Sequence, residues 1–270
     1  MPVLPLRFPF PLRRLSLATL FLACSLLLLA GAPPTPKQPT LHLRVHAIAP
    51  DVYVHTSYHY YPGNPVPVPS NGLIIKTKTG ALVVDTAWDP DQTMELLRWV
   101  ADTLHQRVRL VVITHAHEDR LGGLPVLQAN NIKVYCTPPT AEHAATLPFG
   151  VPTPAIKPYT VVRAGRTRLE LFYPGPGHSP DNMVAWLPNQ QVLFGGCLVK
   201  GADATTLGNI DDANLKQWPV AVRKVAARYP KVALVVPGHG QWGNASLLDH
   251  TLELLHSPSS KPQTALSGQP

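Results

Sequence analysis

The chain has 270 residues, a formal net charge of +7 and three cysteines. Residues 1–32 contain three of the arginines and no acidic residue, so the remainder carries 20 Lys plus Arg against 16 Asp plus Glu, a charge of +4. That charge is spread out without a basic run, which argues against a nucleic-acid-binding protein, and the length suits one domain with a sizeable core.

The N-terminal segment has the pattern of a secretion signal. Three arginines precede an apolar run at residues 15–30. A positively charged region before a short apolar one is typical of an export signal, so we exclude residues 1–32 from the fold and assign residues 33–40 as a Pro-rich linker. We therefore expect a periplasmic protein without stable membrane association after signal removal. An uncleaved anchor is the alternative.

Strand-like and helix-like runs alternate through the rest of the chain. Apolar runs predict strands at 41–48, 51–57, 72–84, 108–114, 161–173, 183–187, 191–195 and 232–236. Apolar spacing predicts helices at 91–105, 121–129, 213–229 and 246–256. Pro219 makes the third helix begin late or kink. We expect an α/β catalytic domain over residues 41–256 and a disordered, Pro-rich tail over 257–270.

A Pro-rich segment, residues 58–70, separates two of the predicted strands. It contains four prolines and no charged side chain apart from one histidine. Because proline fixes φ and lacks an N–H, this segment cannot be a central strand. We expect a protruding loop or the tip of a hairpin, which either covers a substrate or is only a stiff surface loop.

The most informative residues follow the predicted strand at 108–114. They are His115, His117, Asp119 and Arg120. In an extended chain, two imidazoles two residues apart point the same way, and with a carboxylate they form a donor set that zinc prefers. The carboxyl end of a strand is also where open α/β sheets bind ligands. The motif indicates a metal site, although such residues also occur in solvated loops.

Three later strand ends each carry one further potential ligand in a Gly-flanked turn. These ligands are His178, Cys197 and His239. Singly, each has an ordinary explanation as a turn cap, a small buried thiol or a surface histidine. Three such donors at separate strand ends favour a metal centre that the fold assembles. Cys136 is interpreted as a buried, inert thiol.

With these residues the chain resembles the subclass B1 metallo-β-lactamases from about His42 to His256. The resemblance implies a four-layer αβ/βα sandwich and two zinc ions per chain. His115, His117 and His178 match the ligands of one zinc ion, and Asp119, Cys197 and His239 match those of the second. Other families of this superfold place a second-site histidine where this chain has Arg120, and subclass B2 has asparagine where it has His115. These differences indicate subclass B1.

The resemblance also implies an activity and its participants. The expected reaction is hydrolysis of the β-lactam amide bond of antibiotics by a zinc-bound hydroxide. Neutral imidazole ligands favour formation of this hydroxide because they leave the zinc ion its full charge. The expected catalytic residues are Asp119 and Asn209, and the expected substrate contacts are Lys200, Asn209 and Trp88. Lys200 matches a lysine that binds the substrate carboxylate. Asn209 matches an oxyanion donor, although an asparagine after glycine is equally a turn residue.

Two neighbours of the motif are ambiguous, and two other functions stay open. Asp85 either orients a ligand or caps a loop, and Arg120 either compensates the anionic ligands or is solvated.

The expected partner is a small β-lactam, and we expect a monomer. The alternatives are a hydrolase of thioesters, lactones or phosphoesters on the same superfold and a non-catalytic zinc protein. Structural zinc sites usually have four protein ligands, whereas this pattern offers three per ion and so favours catalysis.

Overall fold

The computed structural model describes residues 40–257. The predicted secretion signal and all but the last residue of the linker lie outside this range, as does all but the first residue of the predicted tail. The boundaries proposed for these segments therefore stay predictions. Within the described range, no helix combines the length and the hydropathy needed to cross a membrane.

The first sheet contains six strands in the order β1-β2-β3-β4-β5-β6. They are Arg44–Ala49, Val52–His59, Val68–Ile75, Ala81–Val84, Val108–Val112 and Lys133–Tyr135. Strands β1 to β4 pair antiparallel, whereas β4, β5 and β6 are parallel. Parallel neighbours end at the same edge of a sheet, so Asp85, after β4, lies beside the motif that follows β5.

The second sheet contains five strands in the order β11-β10-β9-β8-β7. They are Tyr159–Ala164 (β7), Thr167–Phe172 (β8), Val184–Leu187 (β9), Val192–Gly196 (β10) and Leu234–Pro237 (β11). Strands β10 and β11 are parallel, and the other neighbours are antiparallel. The turns after β10 and β11, which carry Cys197 and His239, therefore lie side by side.

Helices cover the outer face of each sheet. They are α1 (Pro90–Leu104), α2 (Glu118–Leu121), α3 (Leu124–Ala129), α4 (Pro138–Ala144), α5 (Trp218–Arg228) and α6 (Ser246–His256). One apolar cluster joins the first sheet to α1, α3 and α4, a second joins the two sheets, and a third joins the second sheet to α5 and α6. The layers run helix, sheet, sheet, helix, which confirms the predicted αβ/βα sandwich.

Several predicted boundaries differ from the structure. The run at 72–84 divides between β3 and β4, and the run at 161–173 lies largely in the β7–β8 hairpin, which turns at Gly165 with a φ of +61°. The third predicted helix begins late, at Trp218, and places Pro219 in its first turn, where no N–H is needed. Helix α4 begins with two prolines and was not predicted.

The Pro-rich segment forms the tip of the β2–β3 hairpin, as one alternative expected, but the tip is shorter than predicted. The paired strands run to His59 and from Val68, so Pro69 lies inside β3 opposite Tyr58. Strand β4 pairs only with residues 73–75 of β3. At Pro69, β3 therefore has no β4 partner, and a proline is tolerated at such an edge-like position.

Candidate metal centre and active-site cleft

A cleft of about 970 Å³ opens where the turns after β5, β10 and β11 meet. Its lining includes His117, His178 and His239, which were predicted as ligands. The hairpin tip and the segment after α4 also line it. The fold thus brings residues from distant parts of the chain to one cavity.

Three imidazoles converge at the first candidate zinc site. His117 Nδ1 lies 3.1 Å from His115 Nε2 and 3.1 Å from His178 Nε2. In a tetrahedral zinc site with Zn–N bonds of about 2.05 Å, two ligand nitrogens are ~3.3 Å apart. In a neutral imidazole one ring nitrogen carries a lone pair that can bind a metal ion. Three such nitrogens this close together fit the ligand set of one zinc ion.

Neighbouring groups hold these rings in the geometry and protonation state that zinc needs. The Thr114 hydroxyl lies 3.1 Å from His115 Nδ1, and an Asp212 carboxylate oxygen lies 2.8 Å from His117 Nε2. Such partners orient the ring and make it a better ligand. Burial lowers the pKa of His115 and of His178 well below the usual value, which keeps both rings neutral.

The second candidate zinc site combines a carboxylate, a thiol and an imidazole. His239 Nε2 lies 3.1 Å from an Asp119 oxygen and 3.3 Å from Cys197 Sγ, and Sγ lies 3.7 Å from the same Asp119 oxygen. With Zn–S of about 2.3 Å and Zn–N or Zn–O of about 2.1 Å, tetrahedral ligand atoms are ~3.4 to 3.6 Å apart. Donor atoms of His115, Asp119 and Cys197 also lie within 4.8 Å of one another, so the two sites adjoin.

Residues of strand β3 hydrogen-bond to ligands of the second site and to the turn that carries His239. His239 Nδ1 donates to the Pro69 main-chain oxygen at 2.6 Å, which directs Nε2 towards Asp119 and Cys197. The Ser70 hydroxyl lies 3.4 Å from an Asp119 carboxylate oxygen. The Asn71 side chain donates to the main-chain oxygens on either side of the His239 turn, at Pro237 and Gly240.

Arg120 is fully buried beneath the second site, so its interpretation as a solvated residue is wrong. Its guanidinium lies 2.8 Å from an Asp119 oxygen and donates to Cys197 Sγ at 3.0 Å. Burial raises the pKa of Asp119, but Arg120 and His239 outweigh this effect and hold it well below the usual value. Arg120 thus compensates the anionic ligands.

Asp85 connects Arg120 to the first zinc site. Its carboxylate accepts hydrogen bonds from the Thr114 N–H at 2.7 Å and the Thr114 hydroxyl at 2.8 Å, and it lies 3.3 Å from Arg120 Nη1. The residue has a φ of +63°, a left-handed conformation that aspartate tolerates better than most residues. Asp85 therefore orients the motif through Thr114 and does more than cap a loop.

The three predicted substrate contacts all line the cleft. The Lys200 ammonium lies 5.2 Å from the centre of the Trp218 ring, and burial lowers its pKa. Asn209 is exposed, and its side-chain oxygen accepts from the Asp211 N–H at 2.9 Å, so the turn interpretation also holds. The ring of Trp88 stacks on His59 at 5.3 Å.

Several residues of the site were missed by the sequence prediction. Asp212 could have been sought as the carboxylate that usually accompanies a metal-bound histidine, and it follows the Asn209 turn closely. Ser70 and Asn71 gave no signal because their role depends on contacts with strands far along the chain. His143, in α4, also lines the cleft, and nothing in its local sequence distinguishes it from an ordinary helical residue.

Comparison with known proteins identifies the family. Residues 65–239 match the model of the metallo-beta-lactamase superfamily. The chain belongs to this superfamily. It is 43% identical to a metallo-beta-lactamase type 2 of Bacillus sp. (strain 170), over 81% of this chain and 84% of the relative. It is 38% identical to a type 2 enzyme of Bacteroides fragilis, over 72% of this chain and 80% of the relative.

Solved structures agree with this assignment. A metallo-beta-lactamase from Pontibacter korlensis superposes with a TM-score of 0.75 at 46% identity, and the match covers 79% of this chain and 98% of that one. FIM-1 from Pseudomonas aeruginosa, in a mono-zinc form, superposes with a TM-score of 0.76 at 36% identity, covering 81% of this chain and 97% of that one. These matches confirm the resemblance to subclass B1, with its two zinc sites.

Proposed function

We propose that this protein is a zinc-dependent β-lactamase that hydrolyses the amide bond of β-lactam antibiotics. In this reaction water adds across the C–N bond of the four-membered ring, the carbonyl carbon becomes a carboxylate and the ring nitrogen takes up a proton. The observation that carries the proposal is the pair of adjoining, unequal donor sets at one cleft. A structural zinc site is usually closed by four protein ligands, whereas each set here supplies three and leaves room for water and substrate.

Each of the two ligand sets would bind one zinc ion. His115, His117 and His178 would hold one zinc ion, and Asp119, Cys197 and His239 would hold the other. Zinc bound in such sites supplies an acidified water molecule and a positive charge that polarises a carbonyl group. We assign Asp119 a part in catalysis because its carboxylate, kept ionised beside Arg120, lines the cleft and can accept a hydrogen bond from the attacking water.

Three further residues would bind and position the substrate. Lys200 offers a positive charge in the cleft for the carboxylate that β-lactams carry beside the ring nitrogen. The Asn209 side-chain oxygen is engaged in its turn, which leaves the amide N–H groups to donate to the lactam oxygen. Trp88, buried beside the hairpin tip, would supply an apolar wall.

The test is an assay of the purified, zinc-loaded protein against one penicillin, one cephalosporin and one carbapenem. We expect ring opening, its loss after chelation and its return when zinc is added back. A thioester, a lactone and a phosphodiester serve as comparison substrates. Hydrolysis of one of these with no turnover of any β-lactam, by protein that holds two zinc ions, would refute the proposal.

We also propose that the enzyme is exported to the periplasm, on the basis of the signal-like pattern in residues 1–32. Fractionation of cells that express the full chain, followed by N-terminal sequencing, tests this and locates the cleavage point. The expected monomer stays a prediction, which light scattering of the purified protein checks. A protein that remains with the membranes would support the uncleaved-anchor alternative.

A further inference from the structure

His143 is a histidine of the cleft wall that belongs to neither ligand set. It lies in the last turn of α4, and its ring contacts that of His117, with centroids 6.2 Å apart and planes 77° apart. Its Nδ1 atom is buried, and within residues 40–257 no hydrogen-bond partner is found for it. A buried polar atom without a partner costs stability, so its presence at a cleft calls for an explanation.

The cleft wall that follows this ring in the sequence is apolar. Leu147, Pro148 and Phe149 continue the same wall of the cleft after α4, and two of them also pack on the core beneath the helix. The wall therefore consists of aliphatic and aromatic surface with one imidazole in it. A wall with this composition suits an aryl substituent that carries a hydrogen-bonding group.

His143 and Lys200 lie near different histidines of the first candidate zinc site. His143 packs against His117, whereas Lys200 lies over Trp218, which packs against His178 at 5.6 Å. A substrate whose carboxylate is held by Lys200 and whose lactam carbonyl reaches the zinc ligands would thus extend a substituent beyond His117. That substituent would meet the wall formed by α4 and residues 147–149.

We propose that His143 is a specificity-determining residue that hydrogen-bonds a polar group on the aryl side chain of a β-lactam. Nδ1 of His143 is buried, and no hydrogen bond is found for Nε2 among the described residues, so Nε2 is the ring nitrogen that can meet a polar group of the substrate. The inference rests on the proposed β-lactamase function. It predicts a preference among substrates that share the reacting ring and differ only in one polar group.

Two matched substrate pairs test the proposal. Amoxicillin differs from ampicillin, and cefadroxil from cefalexin, by one phenolic hydroxyl group. For the unaltered enzyme we expect kcat/KM to favour the hydroxylated member by about 5-fold, the effect of one hydrogen bond. His143→Leu should reduce both ratios to about 1, while His143→Gln, which keeps a donor and an acceptor, should restore part of the preference. Glu142→Gln, an exposed neighbour on the same helix, is the control.

The outcomes separate this inference from the proposed function. Equal kcat/KM values within each pair for the unaltered enzyme, or an unchanged ratio in His143→Leu, would overturn the role of His143 while the enzyme remains a β-lactamase. Failure of the zinc-loaded, unaltered enzyme to hydrolyse the four compounds and a carbapenem would instead overturn the proposed function, whereas hydrolysis of the carbapenem alone would overturn only the role of His143. Zinc content and thermal unfolding of each variant should match the unaltered protein, since Leu removes a buried, unpartnered nitrogen. A His143→Leu protein that loses zinc would show a structural role and refute the inference.

Discussion

His239 donates a hydrogen bond from Nδ1 to the main-chain oxygen of Pro69 over a distance of 2.6 Å. The contact joins a ligand of the second zinc site to the base of the β2–β3 hairpin, whose tip lines the cleft. Because the acceptor is a backbone atom, it persists whatever side chains the hairpin carries. We therefore expect changes confined to the tip to leave zinc binding intact, whereas displacement of the backbone at the base would disturb the metal centre.

Shortening the hairpin tip should weaken substrate binding and leave zinc binding intact. We expect replacement of residues 62–66 by two glycines to raise KM severalfold and to change the order of preferred substrates, because these residues would cover bound substrate. Zinc content should stay at two ions per chain, since residues 69 and 70 are kept. Steady-state kinetics and metal analysis check both points, and loss of zinc would contradict the separation of tip and base.

Cys197→Ser should affect the second zinc site far more than the first. A hydroxyl replaces a charged, soft ligand that lies 3.3 Å from His239 Nε2, while the three imidazoles of the other site are untouched. We expect about one tightly held zinc ion per chain by metal analysis, with a marked fall in kcat/KM. Two tightly held ions together with full activity would show that the ligand assignment is wrong.

Asp212→Asn should weaken zinc binding at the first site. The carboxylate lies 2.8 Å from His117 Nε2, and loss of such a partner typically lowers metal affinity by about 10- to 100-fold. Titration of the zinc-free protein with a competing chelator measures the change. Asp211→Asn, an exposed neighbour that contacts Asn209 through its main-chain N–H, is the matched control. Equal effects of the two substitutions would argue against a role for Asp212.

Lys200→Ala should raise KM for carboxylate-bearing β-lactams by about 10-fold and lower kcat less, because a charged contact present in the bound ground state is lost. The exposed Lys216→Ala variant controls for the change in net charge. Initial rates over a range of substrate concentrations separate the two constants. If the KM of Lys200→Ala is unchanged for several substrates, Lys200 has only a structural role, packed on Trp218.

Arg120→Met should lower the free energy of unfolding of the zinc-free protein by about 3 to 5 kcal/mol, the usual result of removing one partner from a buried ion pair. The guanidinium contacts both Asp119 and Asp85, so its loss leaves buried carboxylates uncompensated. Arg98→Met, on the exposed face of α1, is the control in a urea titration. Similar urea midpoints and m-values for Arg120→Met and Arg98→Met would contradict a stabilising role of Arg120.

The donor residues could be predicted from the sequence because each follows a strand-like run directly and lies in a short turn. The motif at 115–119 was predicted from extended-chain geometry, but β5 ends at Val112 and Asp119 lies in α2, so its donors are placed by the turn and short helix after the strand. Gly-flanked turns place His178, Cys197 and His239. All six lie in the two clusters of the structure. The layer order came from the family resemblance, since periodicity alone does not specify how two sheets pack.

The supporting contacts could not be predicted, because they depend on tertiary neighbours. Whether Arg120 is solvated or buried depends on acceptors from other strand ends, which are the carboxylate of Asp85 and the main-chain oxygens of Asn71 and Gly238. The length of the hairpin tip depends on where β4 stops pairing with β3, which allows Pro69 inside a strand. His143 lines the cleft only because α4 is packed beside the motif.

The guanidinium of Arg120 belongs to the polypeptide, so its charge remains between Asp119 and Cys197 at any supply of metal. Without such a neighbour, the buried carboxylate of Asp119 would destabilise a metal-free chain. Here the cost of burying this carboxylate is already offset when the chain folds. We therefore expect the zinc-free protein to stay folded in zinc-poor surroundings, with its ligands already in place to bind zinc when it becomes available.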